Sequence, residues 1–403
     1  MKSVIYRVTK GNAHVLNVAT GNLLTFTEMS VDDTSSLLQN YADPSLELDS
    51  EVLGLLSAGG QTNTRLCRSN LNNCGMEFGF PSIVNLELNR RCSMKCVHCY
   101  IGVDSLRCST PSVFEQMSIR ELNKFLDALH QMGVFLLVFT GGEPFLNVRL
   151  EWLLQCSREK GFVIEIFSNL QHIPSWFWRL DPSLAMIGRV QTSIYSSDHV
   201  VHDSITTVSG SLTRSLKNLM RLKERGFYVE VATPLMSLNF RTWVDTATYF
   251  KKVGIKQDFS WPIVGKYYSH NTEPTSLNIS PEQFREFVDE NPNFLIKTQL
   301  GCLRDPICEL GRSLFSVSAN GDVFPCSQFP YSVGNITQAS VHAIYDSREM
   351  QRFRDIKCVD TGLSEAYNYC LGENYVETGN PLTQPQFLTV SITTALREKG
   401  GKS

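Results

Sequence analysis

Short apolar runs alternate with helical patterns between Pro81 and about residue 262. The continuous run VFLLVFT is typical of a strand buried on both faces, whereas SIRELNKFLDALHQMG has apolar residues at helical spacing and ends at a glycine. The predicted strands cover 83–88, 134–140, 162–168, 186–195, 227–235 and 255–262, and the predicted helices cover 118–133, 148–161, 174–180, 211–226 and 241–254. This order predicts an α/β fold with a parallel sheet or a barrel, whose active site lies where the strands end.

The pattern is different on both sides of this region. Residues 1–80 predict a small module with strands at 3–8, 13–18 and 23–27, followed by helices at 32–42 and 48–58. Residues 263–299 are rich in turn formers and predict a connector with one helix at 281–289. Residues 300–375 form a cysteine-rich region, and 376–403 predict a C-terminal tail, polar from 380 onward and weakly ordered.

Composition narrows the class of protein. The chain has 403 residues, of which 42% are hydrophobic and 19% charged, so we expect a sizeable core and more than one domain. A net charge of -3 argues against nucleic-acid binding, and no apolar stretch is long enough to predict a membrane span. The N-terminus does not resemble a signal peptide, so we expect a cytoplasmic protein whose 12 cysteines are thiols or metal ligands.

Three of these cysteines lie within eight residues, in the segment RRCSMKCVHCY that follows the first barrel strand. Cys92, Cys96 and Cys99 have the spacing C-x3-C-x2-C. Buried structural thiols, a zinc site completed by His98, and a redox pair of Cys96 and Cys99 are the alternative interpretations. A 4Fe–4S cluster takes one thiolate per iron, so three thiolates would leave one iron open to a substrate or cofactor.

This segment resembles the cluster motif of the radical S-adenosylmethionine (SAM) superfamily, including the aromatic residue Tyr100 after the third cysteine. The resemblance implies a partial (β/α)6 TIM-like barrel, a SAM-binding 4Fe–4S cluster, and cleavage of SAM to a 5′-deoxyadenosyl radical. TGGEPFL at 140–146 resembles the family's GGE motif, and HDSITTVSGS at 202–211 resembles another family segment, with Thr206 in place of the usual Arg. The cofactor-binding residues implied are Tyr100, Gly141, Gly142, Glu143, Ser168, Asn169 and Ser193.

The second cysteine group resembles the SPASM extension that follows many radical SAM barrels. Its marks are a C-x5-C pair, the hairpin sequence NGDVFPC and a later cysteine. The resemblance implies one auxiliary 4Fe–4S cluster held by four thiolates. A zinc ion bound by the same thiolates is the alternative. The ligands implied are Cys302, Cys308, Cys326 and Cys370.

Other cysteines have weaker assignments. Cys358 is a spare thiol or replaces Cys302, and since Thr361 and Tyr367 occupy the next ligand positions, we expect no second auxiliary cluster. The remaining four are most simply structural thiols, although the first two could be paired ligands: Cys67, Cys74, Cys108 and Cys156.

Enzymes with this extension mostly modify peptides and proteins, so the resemblance implies a peptide maturase that forms a C–C, ether or thioether cross-link. Residues 1–80 are similar in outline to winged-helix modules that bind a leader peptide as an added strand, although a structural cap on the barrel explains them equally well. Partners expected are a precursor peptide with its leader and an electron donor such as flavodoxin or ferredoxin. Alternatives are a peptide epimerase, a sulfatase-maturase or dehydrogenase-type oxidase, and a non-catalytic iron–sulfur or zinc protein.

Residues that manage protons are less well marked. Asp258 ends the sixth barrel strand and would face the barrel mouth, but it is equally readable as a cap or as a salt-bridge partner. His98 and Tyr100 flank the cluster segment and are the other candidates.

Overall fold

The computed structural model describes most of the barrel and part of each flanking region. The described residues are 4–9, 12–17, 23–26, 68–102, 110–267, 272–292, 294, 308–357 and 370–396. The helices predicted at 32–42 and 48–58 lie outside them, as do Cys67, Cys108, Cys302 and Cys358.

The predicted parallel strands are present, so the α/β partial-barrel prediction is confirmed. They form one nine-stranded sheet with the order β12-β11-β10-β4-β5-β6-β7-β8-β9, in which β4 to β9 run parallel. Within the described residues the strands are β1 Val4–Thr9, β2 Asn12–Asn17, β3 Leu23–Phe26, β4 Ile83–Glu87, β5 Leu136–Thr140, β6 Val163–Phe167, β7 Ile187–Ser193, β8 Val229–Pro234, β9 Lys256–Ser260, β10 Leu314–Val317, β11 Asp322–Phe324 and β12 Gly334–Asn335.

Helices pack against this sheet. Those described are α1 Arg68–Phe78, α2 Val113–Gln116, α3 Ile119–Gln131, α4 Leu150–Glu159, α5 His199–Thr206, α6 Ser211–Glu224, α7 Trp243–Lys252, α8 Pro281–Glu290, α9 Val341–Tyr345, α10 Arg348–Arg354, α11 Leu371–Thr378 and α12 Gln386–Leu396. Capping boxes start α3 at Ser118 and α8 at Ser280, because each serine accepts a hydrogen bond from the backbone N–H three residues on. None of the described helices is long and apolar enough to span a membrane.

The helix predicted at 174–180 is wrong. The segment forms only a short 3-10 turn, Phe177–Arg179, between Pro174 and Pro182. Seven residues between two prolines are too few to stabilise an isolated α-helix. The segment is anchored instead by Phe177, which is fully buried and stacks on Phe227.

The sheet extends further than the barrel pattern predicts. The hairpin of β10 and β11 contains the NGD turn, and β10 pairs in parallel with β4, from Leu314 beside Ile83 to Val317 beside Leu86. Strands of the cysteine-rich region therefore extend the parallel sheet of the barrel.

The prediction of a weakly ordered C-terminal tail is wrong for 386–396. These residues form α12, which packs along α8 and buries Leu388, Ile392 and Ala395. The helix was not predicted because the segment TVSITT is rich in threonine, a weak helix former, and its apolar residues are interspersed with polar ones.

The strands of the N-terminal module form an antiparallel sheet ordered β1-β2-β3. Arg7 holds this sheet to the barrel, since its Nε donates to Val134 O and its Nη2 to Gly161 O, both at 2.8 Å. Its guanidinium also lies 5.1 Å and 5.3 Å from the ring centroids of Phe135 and Phe162. A buried cation that is both hydrogen-bonded and stacked on aromatic rings fixes the module against the base of the sheet.

Candidate active site

The three-cysteine segment forms a loop directly after β4, which we call the cluster loop (residues 88–102). Lys95 N donates to Thr206 O at 3.2 Å and Val97 N to Ile205 O at 3.0 Å, so the end of α5 supports the loop's backbone. Burial raises the pKa of Cys92 to about 11 and that of Cys96 to about 12. The loop therefore gathers buried thiols at the carboxyl edge of the sheet, where partial barrels place their chemistry.

Hydrogen-bond donors face the sulfur atoms. Met94 N and Asn169 Nδ2 each lie 3.4 Å from Cys92 Sγ, and the Tyr195 hydroxyl lies 3.6 Å from Cys96 Sγ. Donors in these positions stabilise thiolates, the form in which cysteine binds metal.

These donors fit an iron–sulfur cluster. Among the described residues no three His, Cys, Asp or Glu side chains are grouped as ligands of a single metal ion. A 4Fe–4S cube takes one thiolate on each of its irons, so its cysteines need not converge on one point. Buried thiols with donors aimed at sulfur suit such a cube.

Gly141 and Gly142 bring the GGE turn against the cluster loop. Gly141 has φ +118°, and a Cβ there would lie 2.4 Å from Asn89 O; a Cβ on Gly142 would lie 2.2 Å from Arg91 O. Hydrogen bonds form across the same contact, from Gly142 N to Asn89 O and from Glu143 N to Arg91 O, both at 2.7 Å. The glycines thus permit a backbone-to-backbone approach within the protein, and the cofactor contact expected of them stays a prediction.

Glu143 is fully buried at the end of this turn. Its carboxylate accepts hydrogen bonds from Phe145 N at 3.0 Å, Ser168 Oγ at 2.8 Å and Asn169 N at 2.8 Å. Burial nevertheless raises the pKa of Glu143 to about 7, since these donors only partly replace water. A buried carboxylate that three donors hold in place is suited to bind a cationic group.

Ser168 and Asn169 follow β6 and connect Glu143 to the loop. Asn169 bridges the two, because its backbone N–H serves Glu143 while its side-chain amide reaches Cys92 Sγ and, at 3.3 Å, Ser93 Oγ. The structure therefore brings together four of the predicted residues: Cys92, Glu143, Ser168 and Asn169.

Ser193 ends β7, two residues before Tyr195. Tyr195 packs edge-on against His98 of the cluster loop, with ring centroids 4.9 Å apart. The end of β7 therefore places Ser193 near this contact, and Tyr195 is a residue that the sequence pattern did not single out.

The segment HDSITTVSGS folds into the junction of α5 and α6. Asp203 accepts hydrogen bonds from Gly210 N, Ser211 Oγ and Leu212 N, at 2.5, 2.8 and 3.0 Å. Thr206, in place of the family's arginine, shares a 2.7 Å hydrogen bond with Ser211 Oγ. The segment has a supporting role here, because the carbonyls of its helix end hold the cluster loop.

The auxiliary cysteines that are described lie together. Cys308, Cys326 and Cys370 each have a raised pKa, mainly from burial, and for Cys308 and Cys370 also because neighbouring sulfur atoms repel their charge. Gln328 ties two of them, with its N–H 3.5 Å from Cys326 Sγ and its Oε1 3.6 Å from Cys370 Sγ. The predicted fourth ligand, Cys302, lies outside the described residues.

Tyr100 lies between the two cysteine groups. Its ring centroid is 4.5 Å from that of Tyr267, whose backbone N–H donates to Tyr100 O at 2.9 Å. Burial and the charges of Tyr100, Cys326 and Cys370 raise the pKa of Tyr267 far above its usual range. Tyr267 was not anticipated, since an isolated tyrosine in a connector carries no sequence signal.

Asp258 is not placed with these groups. It lies in β9, about half exposed, and forms an ion pair with Lys256 at 2.5 Å. Lys256 continues a chain of ion pairs across the inner face of the sheet, which joins strands β6 to β9 through Glu165, Arg189 and Glu230. The sequence offered three interpretations of Asp258, as a proton-transfer residue, a cap or a salt-bridge partner; the structure shows the ion pair, and the catalytic role stays a prediction.

Comparison with protein-family models gives two matches. The radical SAM superfamily model matches residues 86–250, and the SPASM iron–sulfur cluster-binding domain model matches 308–371. Both resemblances drawn from the sequence are confirmed, and the two domains imply 4Fe–4S clusters and SAM as cofactors.

Two curated proteins with similar sequences have different functions. The chain is 28% identical over 296 residues to the antilisterial bacteriocin subtilosin biosynthesis protein AlbA of Bacillus subtilis, covering 71% of this chain but only 64% of that protein, less than two thirds of its length. It is 23% identical over 344 residues to the AdoMet-dependent heme synthase of Methanosarcina barkeri, covering 76% of this chain and 96% of that protein.

Solved structures share the fold. SuiB of Streptococcus suis bound to S-adenosylmethionine aligns with a TM-score of 0.62 at 13% identity, covering 95% of this chain and 97% of that one. SuiB bound to its precursor peptide SuiA aligns with a TM-score of 0.58 at 14% identity, covering 88% and 90% of the two chains.

Proposed function

We propose that this chain, a radical SAM enzyme that carries a SPASM domain, matures a ribosomally made peptide by forming a cross-link within it. The observation that carries the proposal is the pairing of a three-cysteine loop with a separate group of Cys308, Cys326 and Cys370, which a thiolate from Cys302 would close. Similarity to a bacteriocin biosynthesis protein and to the fold of an enzyme solved with its precursor peptide supports a peptide as substrate.

The residues of the first site have separable tasks in this proposal. When bound, the cluster and SAM supply a 5′-deoxyadenosyl radical that takes a hydrogen atom from the substrate. Cys92, Cys96 and Cys99 hold the cluster, and Glu143 binds the ammonium group of SAM, a charge-assisted contact in a buried place. Ser168 and Asn169 keep the Glu143 carboxylate in position by donating to it.

The closed group favours cross-linking over epimerisation. A cross-link removes two hydrogens from the peptide, so after the first hydrogen atom is taken one further electron and one proton must leave. Four thiolates from Cys302, Cys308, Cys326 and Cys370 saturate a cluster, which suits it to accept an electron. Epimerisation needs no such exit, because the substrate radical is quenched by a hydrogen atom.

Mass spectrometry of a coexpressed peptide tests the proposal. The enzyme is expressed anaerobically with the peptide from a short open reading frame beside its gene, and the product is compared with that made by a Cys92→Ala, Cys96→Ala, Cys99→Ala variant. A loss of two hydrogens with formation of 5′-deoxyadenosine is expected only with the intact enzyme. An unchanged mass with altered stereochemistry would indicate an epimerase, and absence of 5′-deoxyadenosine would remove the radical mechanism.

A further inference from the structure

Two cavities meet beside the cluster loop. The smaller, of about 380 Å³, is lined by Cys96 and Cys99 together with Lys95 and Lys266. The larger, of about 620 Å³, lies between the 3-10 turn Glu273–Leu277 and helix α12. Glu273 and Ser276 line both cavities, so the two cavities adjoin at this turn.

The larger cavity is separate from the residues assigned to SAM. Among the described residues that line the two cavities, Glu143, Ser168 and Asn169 do not occur. Those three gather around Cys92, whereas the smaller cavity touches the other two cysteines. A second ligand therefore has its own route to the cluster loop.

The outer wall of the larger cavity is apolar. Ile279 is buried in its floor, Phe387 is half-buried, and Val390 is 46% exposed on α12. Sites of about 300–1,000 Å³ hold a small ligand or a short peptide segment, so a volume of about 620 Å³ suits a few residues of a longer chain.

The polar groups of the cavity favour a ligand that brings hydrogen-bond donors. Thr275 Oγ1 donates to Thr272 O and Ser276 Oγ to Glu273 O, both at 2.7 Å, which leaves the two hydroxyl oxygens as acceptors. Glu273 adds a carboxylate at the junction of the two cavities. A peptide backbone supplies N–H donors, whereas an anionic ligand would meet acceptors and a negative charge.

We propose that the larger cavity is a binding subsite for the precursor peptide, occupied by an uncharged segment next to the residue that is modified. An apolar side chain of that segment contacts Ile279, Phe387 and Val390, and the backbone continues past Glu273 and Ser276 toward the cluster loop. This inference rests on the proposed function, since it names where that function's substrate lies.

A matched pair of valines tests the subsite. Val390 is 46% exposed on α12, and Val244 is 47% exposed on α7, away from both cavities. With the precursor peptide encoded beside the gene, Val390→Asp is expected to raise the KM for peptide by about tenfold or more, the effect of one lost apolar contact plus a charge in the cavity wall. Val244→Asp is expected to leave that KM unchanged, and its SAM cleavage without peptide is expected to match that of the unmodified enzyme.

Photo-cross-linking gives a second readout that does not depend on turnover. With p-benzoylphenylalanine at position 390, irradiation is expected to attach the precursor peptide through residues next to the modification site, and the same group at position 244 is expected to attach none. If the enzyme modifies the peptide but both aspartate variants have equal KM values, or position 390 captures no peptide, the subsite is wrong and the function stands. If the enzyme with its native sequence neither binds nor modifies the peptide, the proposed function fails and the subsite with it.

Discussion

Burial changes the acid–base behaviour of Glu143, the residue proposed to bind the ammonium group of SAM. Three donors hold its carboxylate, yet burial raises its pKa to about 7 from an ordinary value of 4.5. The sign follows from this direction: the protonated form is favoured by folding, and the stability that it contributes is lost as the pH rises from about 4.5 through 7. A bound cation offsets that loss, because it stabilises the ionised carboxylate.

SAM binding should therefore weaken as the pH falls. An α-amino group with a pKa of about 7.7–8.0 is protonated between pH 7 and pH 6, so the carboxylate of Glu143 sets the trend and affinity should drop about fivefold in that interval. Calorimetry of SAM binding to the anaerobically reconstituted enzyme measures this.

Glu143→Gln should remove the pH trend and weaken SAM binding by about 1.5–3 kcal/mol, the contribution of a charge-assisted hydrogen bond. Glu151→Gln, an exposed site on α4, should behave like the unmodified enzyme; an unchanged pH trend in Glu143→Gln would disprove the role.

The iron content of single-cysteine variants separates the two clusters. One cluster at each site gives about eight irons per chain, so Cys326→Ala should retain about four and still cleave SAM without peptide. Cys96→Ala should also lower the iron content but abolish 5′-deoxyadenosine formation. Cys156→Ala is the control, because that thiol bonds Asn123 Oδ1 at 3.0 Å and serves no cluster. About twelve irons in the unmodified enzyme would contradict the expected loss of a second auxiliary cluster.

At the scale of single elements, the junction of α5 and α6 supports the cluster loop. Asp203 organises this junction by accepting three hydrogen bonds at the start of α6, while the carbonyls of Ile205 and Thr206 receive the N–H groups of the loop. A substitution that disrupts the junction should therefore weaken the hold of the loop on its cluster.

Asp203→Ala should loosen the loop without touching a ligand. Loss of the cap should lower the free energy of unfolding by about 1–2 kcal/mol and speed the release of iron to a chelator. Asp181→Ala is a control on the exposed surface, where the carboxylate bonds only the neighbouring Ser183. Iron release at the control rate in Asp203→Ala would show that the junction does not hold the loop.

Elements with strong local signals were predictable, and those that depend on distant contacts were not. The strands VFLLVFT and FVIEIF and the helix after Ser118 were predicted from hydrophobic periodicity and, for the helix, from the glycine at its end. The partner of β10 was not predictable, because nothing near Leu314 indicates a strand more than two hundred residues earlier. Helix α12 was not predictable for the same reason, because its buried face is defined by contacts with α8.

The candidate site divides in the same way. Cys92, Glu143 and Asn169 were found through short motifs whose chemistry requires particular residue types. Tyr195 and Tyr267 were missed because a tyrosine is equally common in a core, and only the fold brings them to the sulfur atoms.

At the scale of the whole molecule, Arg7 joins the N-terminal sheet to the barrel. Arg7→Met keeps much of the apolar stem but leaves the carbonyls of Val134 and Gly161 without these donors. We expect the free energy of unfolding to fall by about 2–4 kcal/mol, since buried acceptors lose charged donors. Chemical denaturation of the cofactor-free protein measures this, with Arg225→Met as control because Arg225 donates to Leu180 O on the surface. Equal stability of the two variants would mean that the sheet is held elsewhere.

The pairing of β10 with β4 also has a consequence for how the chain is made. Ser82 and Ser313, which meet at the start of this pairing, are 231 positions apart. At about 5–20 residues per second on the ribosome, one edge of β4 waits roughly 10–45 s for its partner strand. An open strand edge invites pairing with other chains during that time. A gene shortened before β10 should therefore yield aggregates rather than a smaller radical enzyme, and the two halves of the molecule must mature as one.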